Sequence, residues 1–373
     1  MFDRPQVGEK AILVNIDFGD IYHEDNTIEL SLLINSAGFE VAEKIISKRK
    51  HPDAKYFVGS GKIEEIKLLK ETLEASTIVF NHDLSPSQER NIEKATGLRV
   101  YDRTALILYI FSLRAKSYEG KLQVELAHLD HLATRLTKGW SHLERQKGGI
   151  GVRGGPGEKQ IELDRRMLRA RIKQLKEKLE KLKKQRNMQR RARRRSNTLS
   201  VSIVGYTNAG KSSLFNHLTH ENILAENKLF ATLETTSRKL FIEPHHSLVV
   251  SDTVGFIKDL PTTLVEAFKS TLEEATGADL LIHVVDVSNP NRNDQIEQVN
   301  KILKEINADK LPQIVIINQI DKIKLNPDFD RDDYGNITRI QLSAKTGDGI
   351  EFLKQALVEH NQRLINERNG QYV

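Results

Sequence analysis

The octapeptide Gly205-Tyr206-Thr207-Asn208-Ala209-Gly210-Lys211-Ser212 constrains this chain more than any other segment. It reads G-x-x-x-x-G-K-S, follows the apolar run 199–204, and precedes a segment in which Leu214, Phe215 and Leu218 share one helical face. Strand, glycine loop and helix in that order place the loop at the carboxyl end of a parallel α/β sheet. The chemistry of such a loop demands these residue types. Small residues let backbone N–H groups converge on a β-phosphate, Lys211 offers an ammonium to β and γ oxygens, and Ser212 offers a hydroxyl to Mg²⁺.

Three downstream elements narrow the nucleotide. The strand-like run 248–251 ends in Asp252-Thr253-Val254-Gly255, which places a carboxylate near the Mg²⁺ shell and leaves Gly255 room to turn its N–H toward a γ-phosphate. Asn318-Gln319-Ile320-Asp321 follows the expected strand 313–317, and Ser343-Ala344-Lys345 follows the expected strand 338–342. Their order and intervals match those of GTPases. A carboxylate at Asp321 accepts from both N1–H and the 2-amino group of guanine, whereas adenine offers neither donor and leaves a partly buried charge unpaired.

Two positions depart from the usual pattern. Gln319 stands where the guanine motif carries lysine, so lowered nucleotide affinity is expected, with some tolerance of ATP left open. Phe256 follows Gly255, where many GTPases place a water-orienting glutamine, so slow turnover of the free protein and acceleration by a partner are expected. Between the phosphate loop and Asp252, the segment 228–238 supplies Thr232, Thr235 and Thr236 as switch threonines; Thr232 is the one expected on the metal.

The first hundred residues read as a small parallel α/β layer. Short apolar runs at 11–18, 41–46, 76–80 and 98–101 suggest buried strands. Ile63, Ile66, Leu69 and Leu73 mark one helix, and Ser85-Pro86-Ser87-Gln88 opens another with a capping serine, an N1 proline and a glutamine to close the box. Gly59-Ser60-Gly61-Lys62 before the first of these helices reads either as a phosphate cradle or as a plain glycine turn.

Two heptad stripes follow. Leu122, Leu126, Leu129, Ala133, Leu136, Trp140 and Leu143 form one, and Ile161, Leu168, Ile172, Leu175, Leu179 and Leu182 form the other, with Arg165 interrupting. An antiparallel helical hairpin is expected, tipped by the glycine-rich segment 145–157, which reads as an exposed cationic probe or as a hinge. The stretch 158–195 holds 17 Lys and Arg against five Asp and Glu, a local +12 in a chain of net +6. A cationic rod on an otherwise acidic molecule suits a polyanion such as RNA; a solvated charged helix is the bland alternative. The chain has no cysteine, which excludes disulfides and thiolate chemistry, and no run near the roughly 18 apolar residues of a membrane helix. A cytoplasmic monomer without a transmembrane segment is expected, peripheral membrane association being left open.

Taken together, GYTNAGKSSLFN, LFATLETTSR, DTVGFI, GKLQVELAHL, RQKGGIGVRGGPGEKQIELDRR, YFVGSGK and SPSQERN resemble the HflX family of ribosome-associated GTPases over nearly the whole chain. The resemblance implies an α/β N-terminal subdomain (1–115), a helical hairpin with a glycine-rich tip (116–196) and a Ras-like phosphate-loop domain (197–373). The further C-terminal domain that some members carry is not expected after the helix 349–367. It implies GTP/GDP and Mg²⁺ as cofactors, with Gly205 to Ser212 on phosphate and metal and Phe230, Ala231, Thr232, Leu233 and Glu234 as the first switch. Asp252, Thr253, Val254 and Gly255 form the second switch, and Asn318, Gln319, Ile320, Asp321, Ser343, Ala344 and Lys345 surround the base. Lys211, Thr232 and Gly255 are the expected catalytic set; Ser212 and Thr232 are the expected metal ligands. The implied partner is the large ribosomal subunit, with ribosomes separated under stress. An ATP-dependent RNA-remodelling enzyme and a nucleotide-gated scaffold are the competing readings.

Overall fold

The computed structural model describes residues 8–19, 23–146, 156–195, 198–220, 228–243, 246–258, 260–261, 264, 268, 274–368 and 370. The chain divides into two compact units, Met1–Lys178 and Leu179–Val373.

In the first unit, β1 (Lys10–Asp17), β2 (Glu40–Lys48), β3 (Thr77–Phe80) and β4 (Arg99–Tyr101) form a parallel sheet in the order β2-β1-β3-β4. Helices α1 (His23–Ser36), α2 (Ser60–Leu73) and α3 (Pro86–Thr96) make the crossovers that parallel strands require, and α4 (Arg103–Arg114) follows β4. β1 and β3 sit inside the sheet, and Ala11 to Val14 and Thr77 to Phe80 are fully buried, as continuous apolar runs predict. The expectation of a buried strand at 41–46 fails. β2 is an edge strand whose only buried residue is Ile45, with Ile46 51% exposed, because it lies at the end of the sheet with β1 as its one strand neighbour among the described residues.

The capping box forms as read. Ser85 Oγ accepts from the Gln88 N–H at 3.3 Å, and Gln88 Oε1 accepts from the Ser85 N–H at 3.0 Å, an arrangement worth about 1 kcal/mol. α5 (Tyr118–Gln146) and α6 (Pro156–Arg195) are the long helices of the heptad stripes. Leu122, Leu126 and Leu175 are buried. Arg171 of α6 reaches Glu125 of α5 at 2.7 Å. The root of α5 also buries Gln123, Val124 and Ala127, because it packs on α3 and α4 as well as on its own seam. There Arg135 is held by Glu89 and, at 2.8 Å, by the buried Asp102, whose side chain also caps α4. The glycine-rich tip and the stripe residues Leu136, Trp140, Leu143 and Ile161 lie outside the residues whose side chains are described.

In the second unit, seven strands run in the order β10-β11-β9-β8-β5-β7-β6. They are β5 (Leu199–Gly205), β6 (Thr236–Glu243), β7 (His246–Asp252), β8 (Leu280–Asp286), β9 (Gln313–Asn318), β10 (Asp328–Arg331) and β11 (Ile337–Gln341). The five inner strands are mutually parallel, and each edge strand is antiparallel to its neighbour. α7 (Lys211–Thr219) and the helix Ile350–Arg368 pack Leu214, Phe215, Leu218, Leu353 and Leu357 onto the sheet. The arrangement brings the carboxyl ends of β5, β7, β9 and β11 to one rim, where open α/β sheets bind ligands.

Candidate nucleotide-binding site

At that rim lies a cavity of about 450 Å³, within the range of small-molecule sites. β5 delivers the phosphate loop and α7 starts at its end. Gly210 takes φ 92° and ψ 21°, and a Cβ there would meet Asn318 Nδ2 at 2.2 Å, so the loop needs glycine both for its turn and for the neighbour it accommodates. Gly255 is required by closeness instead: a Cβ would lie 2.7 Å from Thr207 Cγ2 and 3.0 Å from Lys211 Nζ.

Lys211 is buried with its Nζ donating to the Tyr206 carbonyl at 2.6 Å. Burial pulls the ammonium down to about 8, against the opposing pull of the Asp252 charge. Asp252 is pushed above its usual carboxylate range by burial, while Lys211 and the hydrogen bonds of Ser212 and Thr232 pull it back. Its Oδ2 accepts from Ser212 Oγ at 2.8 Å and from Thr232 Oγ1 at 2.9 Å, and the two hydroxyls are 2.8 Å apart. Three residues distant in sequence thus converge. Asp252 Oδ1 and Thr207 Oγ1 are buried without a hydrogen-bond partner. A site of hydroxyl and carboxylate oxygens with an unspent carboxylate lone pair fits Mg²⁺, which takes one or two protein carboxylates or hydroxyls and completes its octahedron with substrate phosphates and water. Accordingly, no cluster of three or more His, Cys, Asp or Glu able to hold a metal by themselves occurs among the described residues.

The other end of the cavity is a network of amides. Asn318 Nδ2 donates to the Ala209 carbonyl at 2.8 Å and Asn318 Oδ1 accepts from the Ala344 N–H at 2.9 Å, which ties β9, the phosphate loop and the segment after β11 together. Ser343 Oγ donates to Asp321 Oδ1 at 2.7 Å. Gln319 Nε2 donates to the Asn208 carbonyl at 3.2 Å.

Most residues expected from the sequence line this cavity: Thr207, Asn208, Gly210, Lys211, Ser212, Phe230, Ala231, Thr232, Thr253, Gly255, Asn318, Gln319, Asp321, Ala344 and Lys345. Others stand behind the wall. Leu233, Val254 and Ile320 are core residues, and Ser343 is fully buried and reaches the site through Asp321. Ser213, Lys228 and Lys322 line the cavity without having been expected. Lys322 directly follows Asp321 and Lys228 opens the switch segment, so proximity to the motifs was their only signal. Phe256 is 1% exposed, and its backbone is bonded to the loop on both sides, from Phe256 N to Gly205 O at 3.1 Å and from Thr207 N to Phe256 O at 2.7 Å. Its side chain belongs to the core and takes no part in orienting water.

Three family models match in succession: "GTP-binding GTPase N-terminal" over 24–112, "GTP-binding GTPase Middle Region" over 114–193 and "50S ribosome-binding GTPase" over 200–319. The chain is 50% identical over 360 residues to the GTPase HflX of Escherichia coli strain K12, covering 96% of this chain and 84% of that one. It is 47% identical over 330 residues to the GTPase HflX of Magnetococcus marinus, covering 88% and 76%. Among solved structures, the GDP complex of SsGBP superposes with a TM-score of 0.55 at 28% identity, over 95% of this chain and 99% of that one. With such similarity running from the N-terminal layer through the phosphate loop to the base motif, the chain belongs to the HflX family of GTPases, guanine-nucleotide-binding enzymes that hydrolyse GTP.

Proposed function

We propose that this GTPase grips the large ribosomal subunit in its GTP state, separates ribosomal subunits, and is released when contact with the ribosome accelerates hydrolysis. The observation that carries the switch is the meeting of Ser212, Thr232 and Asp252 beside Lys211. Thr232 comes from the segment between the phosphate loop and β6, so anything that binds Ser212 and Asp252 differently in the two nucleotide states moves that segment with it. Ser212 and Thr232 would hold Mg²⁺, Asp252 orienting both hydroxyls, and the ion would supply charge neutralisation at the phosphate oxygens. Lys211 trades its bond to the Tyr206 carbonyl for phosphate oxygens, Gly255 presents its N–H to the γ-phosphate, and Asp321, held by Ser343, accepts from guanine.

The partner reading rests on other observations. The matched model over 200–319 is described as a 50S ribosome-binding GTPase, and the helical stretch 158–195 carries the local +12 that suits ribosomal RNA. The burial of Phe256 removes one route to rapid intrinsic turnover, which supports stimulation by a partner. In this reading the α/β layer (1–115) anchors the hairpin (116–196), and the phosphate-loop domain (197–373) supplies the clock. Sedimentation of ribosomes with the protein and a non-hydrolysable GTP analogue tests it: co-migration with the large subunit and a rise in free subunits are expected. Protein that stays at the top of the gradient with the analogue bound would overturn the partner while leaving the GTPase intact.

A further inference from the structure

Where α5 joins the α/β layer, apolar packing alone does not fix its direction. Leu122, Val124, Leu126 and Ala127 bury its root, but such packing is non-directional, and the crossing angle of two packed helices scatters by about 15–20°. About two turns further along, Arg135 supplies what packing lacks. Its Nη1 donates to Asp102 Oδ2 at 2.8 Å, and its Nη2 pairs with Glu89. Both carboxylates are themselves held. Asp102 is the N-cap of α4, with Oδ1 accepting from the Ala105 N–H at 2.7 Å, and Glu89 stands in the first turn of α3, directly after the capping box. One planar cation thus spans two helix starts at the carboxyl ends of β3 and β4. His131, one turn back on α5, lies with Nε2 3.3 Å from the same Nη1.

Burial separates this cluster from a surface pair. The side chains of Asp102 and Arg135 are 2% and 15% exposed, against 38% and 46% for Glu125 and Arg171, which pair between the two helices of the hairpin. Exposed pairs contribute little, whereas charge-assisted bonds held out of water keep their geometry and leave an uncompensated charge when broken. We propose that Arg135 is the latch of the hairpin: by bridging Asp102 and Glu89 it fixes the angle at which α5 leaves the layer, so that the hairpin meets the large ribosomal subunit already aimed. The aiming rests on the ribosome reading above; the latch itself rests on α3, α4 and α5 alone. Released, α5 pivots on its buried root. Ser141 lies about 21 Å along the helix from Ala127, so a tilt of about 15° moves it by about 5 Å. Binding must then select the aimed fraction, and apparent affinity falls by that fraction.

Two measurements on the full chain test the latch and the aiming separately. The chain has no cysteine, so Lys94→Cys on α3 and Ser141→Cys on α5 carry a unique pair of spin labels. Pulsed electron resonance on the ribosome-free protein should give a narrow distance distribution with Arg135 in place, and one broader by about 5 Å in the double variant Arg135→Met/Asp102→Asn. Asparagine caps a helix as aspartate does, and its neutrality removes the buried charge that Arg135 balances, so the double variant keeps the fold. Arg135→Lys offers a point charge in place of a fork and should fall between the two. Sedimentation with large subunits and a non-hydrolysable GTP analogue should show about tenfold weaker binding of the double variant, with ribosome-free GTP turnover unchanged. A wild-type distance distribution or wild-type affinity in the double variant would overturn the proposal. Failure of the wild type to bind the subunit would instead overturn the ribosome reading and the aiming with it, while the distances still decide whether Arg135 fixes α5.

Discussion

Two glycine turns that lead into helices of parallel α/β units differ in what they line: Gly210 and Lys211 line the nucleotide-site cavity, and none of residues 59–62 does. The loop Gly205 to Gly210 begins on the last residue of the buried central strand β5, so it lies at the sheet rim, and the lysine that follows it is buried. Gly59-Ser60-Gly61-Lys62 follows β2 only after the intervening residues 49–58, which close on themselves through the Asp53–Phe57 bridge. At Gly59 the space a Cβ would fill holds the Arg49 guanidinium, whose Nη2 lies 2.1 Å from that position. Lys62 points to Glu65, one turn along its own helix, at 2.6 Å. Similar letters thus line a cavity where a central strand aims them, and at Gly59 to Lys62 they leave the lysine paired to Glu65 on its own helix.

The strongest break of this comparison is a pair of lysine substitutions. Lys211→Ala should lower GTP turnover by about 10²- to 10³-fold, the scale of removing a preorganised group from developing phosphate charge, and Lys62→Ala should leave turnover unchanged. Steady-state phosphate release measures both, and equal losses would put a phosphate role at each turn. A pair of glycine substitutions comes next. Gly210→Ala forces a methyl against Asn318, which is fixed by two hydrogen bonds, and should weaken GDP binding by about a hundredfold, the worth of those two bonds. Gly59→Ala meets only the flexible end of Arg49 but sits at φ 87° and ψ 163°, so it should cost about 1–3 kcal/mol in thermal unfolding with GDP affinity intact. Calorimetric titration and melting curves on the two variants separate binding from stability.

The smallest effect is in pH. With its ammonium at about 8 in the free protein, Lys211 must be protonated to meet phosphate, and bound phosphate raises it further. GDP binding therefore takes up a proton between those two values. Affinity is fully present below about 8 and falls as pH rises above it, by at most about tenfold per unit. Titrations from pH 6.5 to 9.5 should show that decline in the wild type, and a flat profile would place the free-protein ammonium of Lys211 above this range.

Much of this was legible in the sequence for physical reasons. The phosphate loop, Asp252-Thr253-Val254-Gly255 and Asn318 to Asp321 are short, contiguous and immediately preceded by apolar strands, so each carries its own geometry. Elements without such local signals are not legible in the sequence. β6 and β10 are antiparallel edge strands whose pairing comes from a neighbour, α1 has weak amphipathic patterning between two strands, and β8 breaks its apolar run with the buried His283. β2 differs in another way: its apolar residues Val41, Ala42, Ile45 and Ile46 favour a strand, but burial depends on what packs above it.

By itself the sequence determined the chemistry available, because a lysine after a glycine turn, a carboxylate at a strand end and an Asn–Asp pair each act through local backbone geometry. Only the tertiary structure decided which of these meet. Ser212, Thr232 and Asp252 come from three separate segments, Asn208 and Gln319 are 111 residues apart, and Phe256 is withdrawn into the core by bonds to the loop beside it. Such contacts are set by the order of strands across the sheet, which is fixed by long-range packing free energy that no local stretch of residues encodes.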